Sequence, residues 1–133
     1  MPISYTIDKQ RLRVLTHCWG VLTDAELLAH KEALARDPDF CPTLSQLSDV
    51  RDIERLDVTT EGVKALVAHD TANADRVGGH RIALVVSSDE AFGMARMYSQ
   101  RSPNGMDGVG VFRSLTEAEL WLATGQRENA DSK

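Results

Sequence analysis

Along the chain, the apolar positions change period several times, and each change marks an element. From Ser4 to Gly20 ("SYTIDKQRLRVLTHCWG") the period is two. Two strands with a turn at Asp8-Lys9-Gln10 account for it, and in the second Leu12, Val14, Thr16 and Cys18 alternate with Arg11, Arg13, Leu15 and His17. The period then becomes helical. In "TDAELLAHKEALAR", Leu27, Leu28, Lys31, Leu34 and Ala35 form one stripe, and Thr23 with Glu26 makes a capping box at its start. Lys31 is expected to lay its stem along that stripe and keep its charge in water. Asp37-Pro38 stops the helix, because proline disfavours the α region for the residue before it.

The middle of the chain is less regular. Alternation is poor in "FCPTLSQLSDVRDI", which predicts only a short strand, Thr43 to Ser48, ending in acids. A second helix follows, with Asp57, Thr59 or Thr60 as its cap and Val63, Leu66, Val67 and Ala74 on its buried side. Gly78-Gly79 closes that connection. Ile82 to Val86 is apolar at every position, the mark of a central strand covered on both faces. Ser87 with Glu90 forms another capping box, opening a helix on which Ala91, Met94, Ala95 and Tyr98 share a face with Phe92 at its edge. "SPNGMDG" reads as a loop and "VGVF" as a short strand. Ser114 and Glu117 cap a last helix that turns Leu115, Ala118, Trp121 and Leu122 inward.

The order is β-β-α-β-α-β-α-β-α. It predicts an α/β fold: a mixed, mostly parallel open sheet of about five strands flanked by four helices, with right-handed crossovers. Residues 1–124 read as one domain and 125–133 as a polar tail. The chain's 133 residues, 42% of them hydrophobic and 26% charged, are enough for one core. No stretch approaches the length of a membrane span, and "MPISYTIDKQ" lacks the features of a signal peptide. A cytoplasmic protein with both cysteines, Cys18 and Cys41, reduced is the expectation. The net charge of −5 supplies no basic field for nucleic acid.

Candidate chemistry is sparse. His17, His30, His69 and His80 are scattered singly, with no ligand spacing for a metal. Ser87, Ser88 and Asp89 sit at a strand end where open sheets bind ligands, but no G-x-S-x-G elbow or phosphate loop accompanies them. The carboxylate pairs Asp49/Asp52 and Asp89/Glu90 read as solvated acids. No catalytic residue, metal site or cofactor is assigned. Phe92, Met94, Met97, Tyr98 and Met106 form a candidate apolar site near the third helix for a small ligand or lipid, or an interface, with ordinary core packing as the simpler reading.

The element order, "AFGMARMYSQ" after the central strand and the closing "VFRSLTEAELWLA" resemble the bacterial SpoIIAA-like domains, grouped with the STAS and CRAL-TRIO-like folds. The resemblance spans about Ile3 to Ala123. It implies a non-enzymatic role: binding and regulating a protein partner, self-association as a homodimer, or binding a small apolar ligand. In anti-sigma-factor antagonists of this family a serine opening the second helix is phosphorylated, within Asp-Ser-Ser-Gly. The matching place here reads Asp57-Val58-Thr59-Thr60-Glu61-Gly62, which departs from that pattern. Thr59 and Thr60 are therefore a candidate phosphoacceptor or anion site as well as candidate caps.

Overall fold

A computed structural model of the protein describes residues 2–41, 43–73, 81–103 and 105–124. Five strands form one sheet in the spatial order β1-β2-β3-β4-β5: β1 Ile3–Asp8, β2 Arg13–Thr23, β3 Ser45–Asp57, β4 Ile82–Val85 and β5 Val109–Phe112. β1 runs antiparallel to β2, and the other neighbours are parallel. The helices are α1 Asp24–Arg36, α2 Thr60–Ala72, α3 Asp89–Arg101, the single turn α4 Gly105–Gly108, and α5 Leu115–Thr124. The order matches the expectation, with α4 added inside the "SPNGMDG" stretch. Ala74, Gly78-Gly79 and the polar tail lie outside the described residues.

The sequential strand order decides where the helices go. Each parallel connection steps one strand in the same direction, and right-handed crossovers then put every connecting helix on one face. α1 packs against α2, α2 against α3, and α5 sits on the opposite face against β3, β4 and β5. This explains the continuous apolar run of β4. Ile82 and Leu84 meet Val63, Leu66 and Tyr98 on one side, while Ala83 and Val85 meet Phe112, Trp121 and Leu122 on the other.

β3 is longer than the sequence pattern predicts. It runs to Asp57, and two bulges interrupt it: β3 gains one residue on β2 between the His17 and Trp19 pairings and another between Gly20 and Val21. Each bulge flips the side-chain alternation, so no single period runs through the strand. Gly20 accommodates the second shift with φ +67°, a left-handed geometry glycine adopts freely. Among the described residues Leu12 is the one non-glycine residue with positive φ, 57°, in the turn before β2. That geometry costs a residue with a side chain about 1–2 kcal/mol.

The α5 face is tightly filled. A Cβ at Gly110 would lie 2.7 Å from the Phe112 ring and 3.1 Å from Trp121. Both rings are buried. Gly110→Ala is expected to destabilise the fold by about 1–3 kcal/mol through overpacking, despite the entropy alanine saves in the unfolded chain. Urea denaturation measures it; an unchanged or raised midpoint would show that this layer is looser than described.

Candidate functional site

Between the sheet and α1–α3 lies a cavity of about 120 Å³. Strand alternation aims Thr16, Cys18, Gln46 and Ser48 into it, and Leu27, Leu66 and Met94 from the helices complete its apolar wall. Thr16 is 4% exposed, and its Oγ1 has no hydrogen-bond partner. Cys18 is buried, and that burial, helped by the charge of Asp49, pushes its thiol up to about 12. It is a protonated lining group rather than a nucleophile.

One side of the cavity is held by three polar side chains from three helices. The Lys31 Nζ donates to Asp70 Oδ2 at 3.2 Å and to Tyr98 Oη at 2.7 Å, and the Tyr98 hydroxyl donates to the same Asp70 oxygen. Lys31 therefore does not carry its charge out to water, as its place on α1 led one to expect. Its side chain is 15% exposed and that of Asp70 8%. Burial works against the ammonium, but contact with Tyr98 and Asp70 outweighs it and leaves the lysine pKa raised. Burial also lifts the Tyr98 phenol to about 12, so it stays a donor. Asp70 Oδ1 has no hydrogen-bond partner; the His69 Nδ1 stands 3.9 Å away. Beside Lys31, His30 lies edge-on to Tyr5, and burial, then the Lys31 charge, lowers its pKa to about 4.

At the carboxyl end of the strands the polar groups are engaged with one another. Thr59 caps α2, its Oγ1 accepting from Gly62 N at 3.0 Å. Its own N–H and hydroxyl donate to the two oxygens of Asp24, at 2.9 and 2.6 Å. A carboxylate from α1 thus occupies the place where an external anion would meet Thr59. Gly62 is required there, because a Cβ would run into the Asp24 carboxylate. Thr60 is exposed. α3 is capped by Ser88, which accepts from Ala91 N at 3.1 Å, not by Ser87 with Glu90. Ser87 instead donates to Arg51 O, across to β3. Asp89 pairs with Arg113, Asp49 with Arg51, and Asp52 with His17.

The five candidate apolar residues do not form one site. Met94 and Tyr98 line the cavity. Met97 joins the packing between α2 and α3, Phe92 lies under the guanidinium groups of Arg96 and Arg113, and Met106 is exposed on α4. Thr16, His30, Lys31 and Asp70 were not singled out as site residues. Asp70 carried the one readable signal: an acid in register with the buried Val63 and Leu66 of α2. Among the described residues no group of three metal-ligating side chains occurs, and no helix is long and apolar enough to cross a membrane.

No protein-family model matches the sequence, and no curated protein matches it significantly. Solved structures do match its backbone. One is an uncharacterized protein of the DUF3478 family with a SpoIIAA-like fold, from Shewanella loihica PV-4. It has a TM-score of 0.58 at 15% identity, covering 90% of this chain and 93% of that one. Another is an anti-sigma factor antagonist from Mycobacterium paratuberculosis, with a TM-score of 0.57 at 14% identity, covering 91% and 94%. At such identities the likeness is one of fold. The chain has the SpoIIAA-like α/β fold, as its element order led one to expect.

Two outcomes follow from the helical layer. Lys31→Met strands the Asp70 carboxylate and is expected to cost about 3–5 kcal/mol, most of it recovered in Lys31→Met/Asp70→Asn. Denaturation of both variants tests this; equal losses in the single and double variants would refute it. His30 sets a pH dependence. Folded, it stays neutral down to about pH 4, whereas an ordinary histidine takes up its proton near 6.5. Between those values the unfolded chain binds more protons, so stability present above pH 6.5 is lost as the pH falls toward 4. The loss is roughly 3 kcal/mol, and His30→Gln should flatten that part of a stability-against-pH curve. A curve of the same slope in the variant would remove His30 as the cause.

Proposed function

We propose that this chain is a non-enzymatic regulatory domain that works by binding a protein partner. The observation that carries this reading is the end-to-end match of its backbone to an anti-sigma factor antagonist, 91% of this chain on 94% of that one. The chemistry of the strand ends agrees with it. Ser88 and Thr59 are spent as caps, Ser87 donates to a backbone carbonyl, and Asp49 and Asp89 are held by arginines. A serine or threonine nucleophile needs a positioned base, and these hydroxyls meet carboxylates and backbone only in structural roles. The partner surface we assign is the end of the domain where α1 and α2 begin. There Asp24 locks Thr59, and the exposed Thr60 is the better phosphoacceptor of the two.

A second reading rests on the cavity: a small, largely apolar ligand held between the sheet and α1–α3. About 120 Å³ accommodates a molecule near the size of benzene rather than a lipid chain. Thr16 offers it one hydrogen bond.

Native mass spectrometry on protein taken from its own cells distinguishes these. A stoichiometric complex with a second protein, or a homodimer, is expected, and a phosphate carried by the chain should vanish in Thr60→Ala. A small added mass lost on organic extraction would support the cavity reading instead. A bare monomer at every concentration, with neither partner nor adduct, would overturn both.

A further inference from the structure

At the opposite, amino-terminal end of the parallel strands there is a larger concavity, of about 830 Å³. Its wall is made where neighbouring strands begin. Arg13 opens β2 and Ser45 opens β3, Arg11 and Thr43 lie in the turns two residues before them, and Arg81 immediately precedes β4. The backbone ties these positions together. Arg13 lies opposite Ser45, the Ser45 N–H donates to Leu12 O at 3.2 Å, and the Gln46 N–H donates to Arg81 O at 2.9 Å. Three arginines thus line one cleft, with a single carboxylate, Asp107, among its described lining residues. In a chain of net charge −5 this is a local reversal of sign.

Arg13 Nε is buried and has no hydrogen-bond partner, so a ligand in the cleft meets that guanidinium through its terminal nitrogens. Arg11 forms an ion pair with Asp8, its Nε 3.8 Å from the carboxylate, and the Arg81 guanidinium lies over the Trp121 ring at 5.7 Å. Among the described residues neither Arg13 nor Arg81 has a carboxylate within ion-pair distance. Between Arg11 and Arg13, Leu12 is 55% exposed and holds its positive φ as part of the turn joining β1 to β2.

We propose that this cleft binds a small organic anion bearing phosphate or carboxylate groups. The planar forks of Arg13 and Arg81 grip the anionic group, and the Thr43 and Ser45 hydroxyls donate to its remaining oxygens. Leu12 and Leu122 contact the carbon skeleton. Asp107 repels a bare anion but accepts from a hydroxyl of the ligand, which selects an organic molecule over inorganic phosphate. The volume is that of an ordinary small-molecule site. The assignment is independent of the protein-partner reading, which concerns the other end of the sheet.

Isothermal titration of the full chain with glucose 6-phosphate, citrate and inorganic phosphate tests it. Saturable binding of the sugar phosphate or of citrate is expected, weakening with added salt and about tenfold or more in Arg13→Gln and in Arg81→Gln. Binding of the first alone identifies phosphate as the recognised group, and binding of the second alone identifies carboxylate. Arg13→Gln removes a buried unpaired donor, so its thermal midpoint should not fall; if it fails to fold, Arg81→Gln carries the test. No saturable binding of any probe, equal affinity for inorganic phosphate, or affinity unchanged in the folded variants would each overturn the proposal.

Discussion

The single carboxylate oxygen Asp70 Oδ2, almost sealed from water between three helices, organises this domain. It receives the Lys31 ammonium from α1 and the Tyr98 hydroxyl from α3, while standing on α2 itself. A buried charge of this kind is worth little as net stability against an apolar equivalent, but it is intolerant of any arrangement that breaks the set. The three helices must therefore meet in one register, and that register fixes the roof of the small cavity.

The sheet makes this meeting possible. Because β2 to β5 follow one another in space as they do in sequence, all three crossover helices fall on the same face. A reversal of strand order would have sent one of them to the other side and left Asp70 without either Lys31 or Tyr98. The opposite face then needs only α5, whose Trp121 and Leu122 close over Ala83, Val85 and Phe112. Beyond Val85 the sheet narrows to β2 and the bulged half of β3, whose Leu22 and Leu56 close that end of the cavity.

The parts legible in the sequence are those written in local periods. Helix stripes, the alternation of β2, the all-apolar β4 and the caps at Thr23, Thr59 and Ser114 depend on residues a few positions apart. The parts that escaped depend on distance or on broken period. Lys31 and Asp70 are 39 residues apart, Lys31 and Tyr98 67; each looks ordinary on its own helix. The second half of β3 was hidden by its two bulges, since a flipped alternation resembles none. Ser87 and Ser88 are adjacent hydroxyls with equally good local claims to the cap, and only the reach of Ser87 to Arg51 separates them.

The two ends of the sheet differ in how their charges are settled, and this difference bears on function more than any single residue does. At the carboxyl end, where α/β domains usually keep their chemistry, the acids and hydroxyls close on one another: Asp24 on Thr59, Arg51 on Asp49, Arg113 on Asp89. The polar groups named there already have partners within the fold. At the amino end, Arg13 is left with a buried donor unmet and Arg81 rests on a ring instead of an acid. Exposed ion pairs contribute little to stability, so a folded chain gains little by pairing those arginines at the surface and loses little by leaving Arg81 unpaired. The buried Nε of Arg13 is different, because water cannot reach it and desolvation is not refunded. The proposed partner surface and the proposed anion cleft thus lie at opposite ends of the sheet, the first where polar groups are paired with one another and the second where two arginines lack an acid.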